Sequence, residues 1–379
     1  MLDGNEWKYL KECLDTGWVS SVGPFVERFE REVACHVGAR HAVATASGTA
    51  ALHVALQVAG VQPDDEVLVS TLSFIAPANA VRYLGARPVF MDADPQYWQM
   101  DPEKVRTFLD QECLWRNGTL YNKSSNRRVK AILPVHILGH PCDLDPLFEV
   151  ARQYDLVVVE DAAECLGAKY KGRKIGQVGL VCFSFNGNKL ITTGGGGMIV
   201  TDNEAWARKA KYLTTQAKDD EIGYVHHEIG YNYRLTNLQA AVGCAQMERL
   251  EVYLALKHRI AERYREGLRE IQGITPMPEA PWATSTFWMY TALVDEGRFG
   301  TDRKALLPHF QKHGVQSRPL WQPLHCSPAH AGSQAYHCET AERLHREALS
   351  LPASVSLSGA DQQRVIETLK EAPRACRVA

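Results

Sequence analysis

From about residue 40 to residue 250, short apolar runs rich in β-branched residues alternate with longer stretches of helical periodicity. Residues 41–46 read as a strand and 49–59 as the helix that follows. Residues 66–70 form the next strand and 77–84 the next helix. Further strands are expected at 88–91, 129–134, 156–159, 179–184 and 197–201. Such short, nearly continuous apolar strands suit a sheet covered on both faces by helices. The pattern predicts an α/β domain with a mainly parallel sheet. In such sheets ligands collect beyond the carboxyl ends of the strands.

The polar stretch 112–128 reads as a surface loop. Residues 238–268 carry one long amphipathic pattern without proline, with Leu250, Leu254, Ile260 and Tyr264 on its apolar stripe. A helix there would link two domains and present a face to a second subunit. The proline-rich remainder reads as a smaller α+β domain. The expected division is 1–250 for the large domain and 251–379 for the small one, with the N-terminal segment packing on the small domain.

Composition narrows the class. The chain has 379 residues, 45% apolar and 23% charged, with a formal net charge of −2. It is long enough for about two or three domains and gives no electrostatic case for nucleic acid or anionic membrane. No run is long enough to span a bilayer, and the opening residues lack a signal-peptide pattern. Ten irregularly spaced cysteines without C-x-x-C fit a reduced cytoplasmic protein. The sequons at Asn117 and Asn122 would then stay unmodified. Two groups invite a metal reading: His136, His140 and Cys142, and His325, Cys326, His330, His337 and Cys338. Neither has zinc-site spacing, and no metal is expected.

The candidate chemistry sits at strand ends. Asp161 closes one apolar strand, and Lys189 follows another in Phe183-Ser184-Phe185-Asn186-Gly187-Asn188-Lys189. An amine that forms a Schiff base and a carboxylate that keeps a pyridine nitrogen protonated are what pyridoxal phosphate chemistry needs. Singly, the lysine reads as a surface residue and the aspartate as a helix cap. Ser47-Gly48-Thr49-Ala50 leaves a strand and opens a helix, a phosphate-binding arrangement that is also an ordinary cap. Ser184 offers a further hydroxyl, and Phe74 either a ring to stack on the pyridine or a core side chain. Glu164 reads as a contact to the cofactor's phenolic oxygen or as a first-turn helix acid. Thr192-Thr193-Gly194-Gly195-Gly196-Gly197 lets backbone pass close to a ligand, and neither a Walker loop nor a dinucleotide fingerprint occurs.

Asp161-Ala162-Ala163-Glu164, the lysine segment, the glycine run, Gly230-Tyr231-Asn232-Tyr233-Arg234 and Gly17-Trp18-Val19-Ser20-Ser21-Val22-Gly23-Pro24 together resemble the DegT/DnrJ-type sugar-nucleotide aminotransferases. Asn186-Gly187-Asn188 and Leu213-Thr214-Thr215-Gln216-Ala217-Lys218 resemble the branch serving bacillosamine and legionaminic acid synthesis. The resemblance implies a fold-type-I transferase that acts as a homodimer with shared sites. It makes Lys189 the Schiff-base lysine and Asp161 the partner of the pyridine nitrogen. Phe74 would stack on the ring, while Gly48, Thr49, Ala50 and Ser184 would hold the phosphate. Asn232 would reach that phosphate from the other subunit. Many relatives have glutamine or histidine at the position of Glu164. Arg318-Pro319-Leu320-Trp321-Gln322-Pro323-Leu324-His325 resembles the family's substrate segment, and Arg234, Trp321 and His325 are the expected substrate residues.

The implied reaction carries the amino group of L-glutamate to a nucleotide-linked keto sugar, with UDP-2-acetamido-2,6-dideoxy-4-hexulose as the leading acceptor. The alternatives are a GDP-4-keto-6-deoxymannose aminotransferase that makes perosamine, a dehydratase of the same fold, and a non-catalytic regulator. Dehydratases of this fold carry histidine in place of the lysine, and no DNA-binding appendage supports a regulator.

Overall fold

The computed structural model describes residues 1–220 and 222–372. The last seven residues of the expected small domain, 373–379, lie outside them. An eight-stranded sheet forms the centre. Across it the strands run His41–Thr45, Gly197–Thr201, Leu180–Ser184, Val157–Asp161, Val129–Leu133, Glu66–Ser70, Arg87–Met91 and Ala335–Tyr336. Only Gly197–Thr201 runs against the rest. Its amino end therefore meets the carboxyl ends of its neighbours, and the glycine run before it reaches the same edge as Asp161 and Ser184.

Helices cover both faces. Gly48–Val58 lies on the Leu180–Ser184 and Gly197–Thr201 strands with Ala50 to Leu56 buried. Ser47 caps it by accepting the Ala50 N–H at 3.1 Å. Gly48 is there for close approach: a Cβ at this position would stand 2.8 Å from the Ser184 Cβ. The mainly parallel, doubly covered sheet is the fold-type-I architecture expected above.

Two segments differ from the sequence reading. Residues 112–128 are not a plain loop, because Cys113–Arg116 and Thr119–Asn122 pair as an antiparallel hairpin. Asn117 and Gly118 make its turn with φ of 52° and 74°. An Asn-Gly pair between apolar residues is itself a hairpin signal.

The long pattern 238–268 is two helices, Asn237–Met247 and Leu250–Leu268. Nothing between them breaks the periodicity. The break is held from outside: Glu248 accepts from Asn5 at 2.7 Å and from Arg28 at 3.1 Å, and Arg249 pairs with Asp3 at 3.2 Å. The opening helix Glu6–Thr16 packs on Asn237–Met247 and sends Cys13 into the larger core.

Leu250–Leu268 joins two apolar cores. Leu250, Tyr253 and Leu254 belong to the core beside the large sheet. Ile260, Ala261, Tyr264 and Leu268 belong to a second core. That second core backs a four-stranded antiparallel sheet of Ile274–Pro276, Tyr290–Val294, Ala348–Leu351 and Arg318–Pro319. The helix thus carries the small sheet to the carboxyl edge of the large one, where Trp288 and Trp321 enter the site.

Candidate active site

Ser47, Gly48, Thr49, Phe74, Asp161, Glu164, Ser184 and Lys189 all line one cavity of about 390 Å³ at the carboxyl edge of the large sheet. The sequence reading thus converges on one place.

Asp161 is the last residue of its strand and is buried. Its Oδ1 accepts the Ala163 N–H at 3.0 Å. Burial pushes the carboxyl up, against the pull of Lys189 and His136. A buried carboxyl facing a cavity is suited to a cationic ring nitrogen, whose charge would restore the ionised form.

Lys189 reaches the cavity because its loop folds back on the strand end. Phe185 N–H donates to Gly196 O at 2.9 Å, and Thr193 N–H to Phe185 O at 3.0 Å. The Lys189 Nζ lies 3.5 Å from Glu164 Oε1 and 4.0 Å from the centre of the Trp288 ring. Trp288 is fixed by its own Nε1–H, which donates to Asn188 O at 2.8 Å. The amine therefore rests between a carboxyl and an aromatic face, a cation–π arrangement.

Glu164 is buried, and Leu138 N–H donates to its Oε2 at 2.6 Å. Burial raises this carboxyl to about 7 although Lys189 opposes the rise. Leu138 itself has φ of 63°, an unfavourable value for leucine that aims its N–H at the carboxylate. His136 lies at the back of the cavity with no exposed surface. Its Nδ1 accepts the Cys142 N–H at 2.9 Å, so the proton sits on Nε2, 2.9 Å from Glu160 Oε2.

Gly48 and Thr49 open their helix at the wall of the cavity, against Ser184. Ala50 does not line the cavity, and its N–H is spent on Ser47 Oγ. Phe74 stands 58% exposed at the rim, 6.5 Å edge-on from Trp321. Trp321 in turn stacks on Trp288 with centroids 6.1 Å apart. A buried strand-end carboxyl, an amine, a rim aromatic and a helix start that a Cβ would obstruct are what pyridoxal phosphate requires of its site.

Other expected residues lie elsewhere. His325 is away from the cavity, and both its ring nitrogens are engaged, by Thr71 Oγ1 at 2.7 Å and Glu342 Oε1 at 3.1 Å. Asn232 is exposed, and its main chain pairs with Thr215. Arg234 is half-buried and reaches Gln216 at 3.4 Å. Neither lines the cavity of its own chain. Of the histidine and cysteine groups considered for metal, His136 and His140 have their ring nitrogens in hydrogen bonds. His325 and Cys326 share a 4.8 Å neighbourhood with Glu342.

Sequence reasoning missed Trp288 and the position of His136. His136 had a usable signal, since it follows a strand end directly. Trp288 lies in the bend just before the small-sheet strand Tyr290–Val294, and nothing in its local sequence marks it.

The family model described as the DegT/DnrJ/EryC1/StrS aminotransferase family matches residues 1–370. The chain is 41% identical over 372 residues to a GDP-perosamine synthase of Caulobacter vibrioides, covering 98% of this chain and 96% of the relative. It is 36% identical to a GDP-perosamine synthase of Escherichia coli O157:H7, covering 98% and 96%. Among solved structures it is similar to S. venezuelae DesV in complex with a ketimine intermediate, with a TM-score of 0.88 and 32% identity over 98% of this chain and 95% of that one.

Proposed function

Since the chain belongs to the DegT/DnrJ/EryC1/StrS aminotransferase family of pyridoxal phosphate-dependent sugar transaminases, we propose that it aminates carbon 4 of GDP-4-keto-6-deoxymannose with L-glutamate as donor. The observation that carries this reading is the full-length similarity to two GDP-perosamine synthases. The UDP-2-acetamido-2,6-dideoxy-4-hexulose expected from the lysine segment gains no support from these comparisons and becomes the rival acceptor.

Pyridoxal phosphate, when bound, supplies an aldehyde that takes up amino groups and a ring that draws electrons from the adjacent carbon. Asp161 would hold its ring nitrogen, and Gly48, Thr49 and Ser184 its phosphate. Phe74 would cover the ring, and Glu164 is within reach of its phenolic oxygen. Lys189 Nζ is the base that takes the donor's α-proton and returns it on the other side of the exchange. Trp288 and Glu164 keep that amine within the cavity between the two transfers. Trp321 and Phe74 present apolar faces that exclude water from the reacting carbon.

The reading includes a homodimer. Ile222, Tyr224 and Ile229 are 89%, 72% and 84% exposed in the segment just before Asn232. Three such exposed apolar side chains within eight residues call for a cover. A second copy would provide it and would bring Asn232 to its neighbour's phosphate. The nine described cysteines are free thiols, which fits a reducing cytoplasm. No helix among the described residues is long and apolar enough to cross a membrane.

The test is to incubate the purified protein with glutamate and, separately, GDP-4-keto-6-deoxymannose and UDP-2-acetamido-2,6-dideoxy-4-hexulose. Amination of the GDP sugar with a kcat/KM at least about tenfold higher is the expected outcome. Preference for the UDP sugar would overturn the substrate assignment.

A further inference from the structure

Successive side chains of a strand point to opposite faces. Asp161 faces the cofactor cavity, so Glu160, one residue before it on Val157–Asp161, turns to the other face of the sheet. There a separate cavity of about 320 Å³ opens among the helix Leu144–Gln153, the hairpin of Lys169–Tyr170 with Arg173–Lys174, and residues 175–178. Glu160 is part of its wall.

That carboxylate is only half satisfied. It is 1% exposed, and its Oε2 takes the His136 Nε2–H at 2.9 Å. Its Oε1 has no hydrogen-bond donor among the described residues. Leaving a buried acceptor unpaired is costly, and an occupant of the cavity that brings an N–H removes the cost. A guanidinium or ammonium brings that N–H together with the opposite charge. Room for it is kept by Gly179, whose φ is 94° and where a Cβ would stand 3.1 Å from Oε1.

The rest of the wall names the other end of the ligand. Leu144, Phe148, Ile175 and Val178 are apolar. Arg173 is held by Asp145 at 3.3 Å, and Lys174 donates to His36 O at 2.7 Å. Arg152 is exposed and spends one N–H on Phe148 O at 3.3 Å. Among the described residues no carboxylate forms an ion pair with it.

We propose that this cavity is a second ligand site, taking a small zwitterion with an N–H-bearing cation at one end, an apolar body and a carboxylate at the other. The cation meets Glu160 Oε1, the body lies against Phe148 and Ile175, and the carboxylate meets Arg152. A purely anionic ligand would face the Glu160 carboxylate, and a purely cationic one would leave Arg152 unmatched. The site shares no wall residue with the cofactor cavity. Glu160 nonetheless holds His136, which lines that cavity, so an occupant sits one hydrogen bond away from it.

Calorimetric titration of the holoenzyme with 4-guanidinobutyrate tests this. The probe carries both charged ends and has no primary amine to condense with the cofactor. It should bind saturably, at one site per chain. Val178→Trp, at an exposed position on the wall, should fill the cavity and abolish binding. Arg152→Gln should weaken it by about tenfold, as for loss of one charge-assisted contact. Glu160→Gln should weaken it at least as much. If that buried variant fails to fold, the exposed Val178 and Arg152 still decide the matter. Absence of binding, or an affinity unchanged in Val178→Trp or in Arg152→Gln, would each overturn the proposal. None of these readouts depends on turnover, so they stand apart from the amination test.

Discussion

Replacing Glu164 by glutamine keeps the shape of the side chain and removes its titration. The carboxyl is buried beneath Lys189 and the Leu138 N–H, and burial lifts it from 4.5 to about 7. An acid whose folded value lies above its unfolded one binds its proton more tightly in the folded protein. The stability it contributes is therefore full below about pH 4.5 and is lost as the pH rises through about 7. At about 1.4 kcal/mol per unit, the loss between pH 4.5 and pH 8 amounts to roughly 3 kcal/mol. Glu164→Gln has no such loss. The difference in unfolding free energy, variant minus wild type, should thus rise by that amount between pH 4.5 and pH 8. Urea unfolding midpoints of the cofactor-free proteins, at equal concentration across this range, provide the measurement. A difference that stays flat, or falls with rising pH, would refute the reasoning that burial governs this carboxyl.

Three further outcomes follow from the geometry. Asp161→Asn should still bind the cofactor but slow the stopped-flow half-reaction with glutamate by roughly a hundredfold or more, since a neutral amide cannot pair with a cationic ring nitrogen; a near-normal rate would assign that role elsewhere. Gly48→Ala places a Cβ 2.8 Å from Ser184 Cβ, and fluorescence titration of the cofactor-free protein should show cofactor affinity down by about tenfold or more; unaltered affinity would mean that the helix start moves freely. Mixing inactive Lys189→Ala and Asn232→Asp subunits should restore one intact site per heterodimer, because one chain supplies the lysine and the other the asparagine; demonstrable heterodimers without activity would remove Asn232 from its neighbour's site.

The fold was legible where local pattern and tertiary structure agree. Glu66–Ser70 and Gly197–Thr201 are apolar, β-branched and bounded by turn residues, and both strands lie where the pattern puts them. The break at Glu248 was not legible, because it is imposed by Asn5, Arg28 and Asp3 from segments far away in the chain. The residues at strand ends were legible for the same reason as the strands: Asp161, Ser184 and Gly48 follow directly from where each strand stops. Trp288 was not, since its relation to Lys189 exists only once the small sheet is docked against the large one. Ala50 shows a subtler limit. Its place at a helix start was right, but the Ser47 cap that makes the helix start there also uses its N–H.

The central claim is that the Lys189 amine is the covalent partner of pyridoxal phosphate in the cavity beside Asp161. Borohydride reduction of the holoenzyme followed by peptide mapping tests this most directly. The expected result is a single pyridoxyl adduct on the peptide containing Asn188-Lys189, absent when the protein is first converted to its aminated form with excess glutamate. An adduct on Lys257 or on any other lysine, or no adduct on a protein that holds the cofactor, would contradict it.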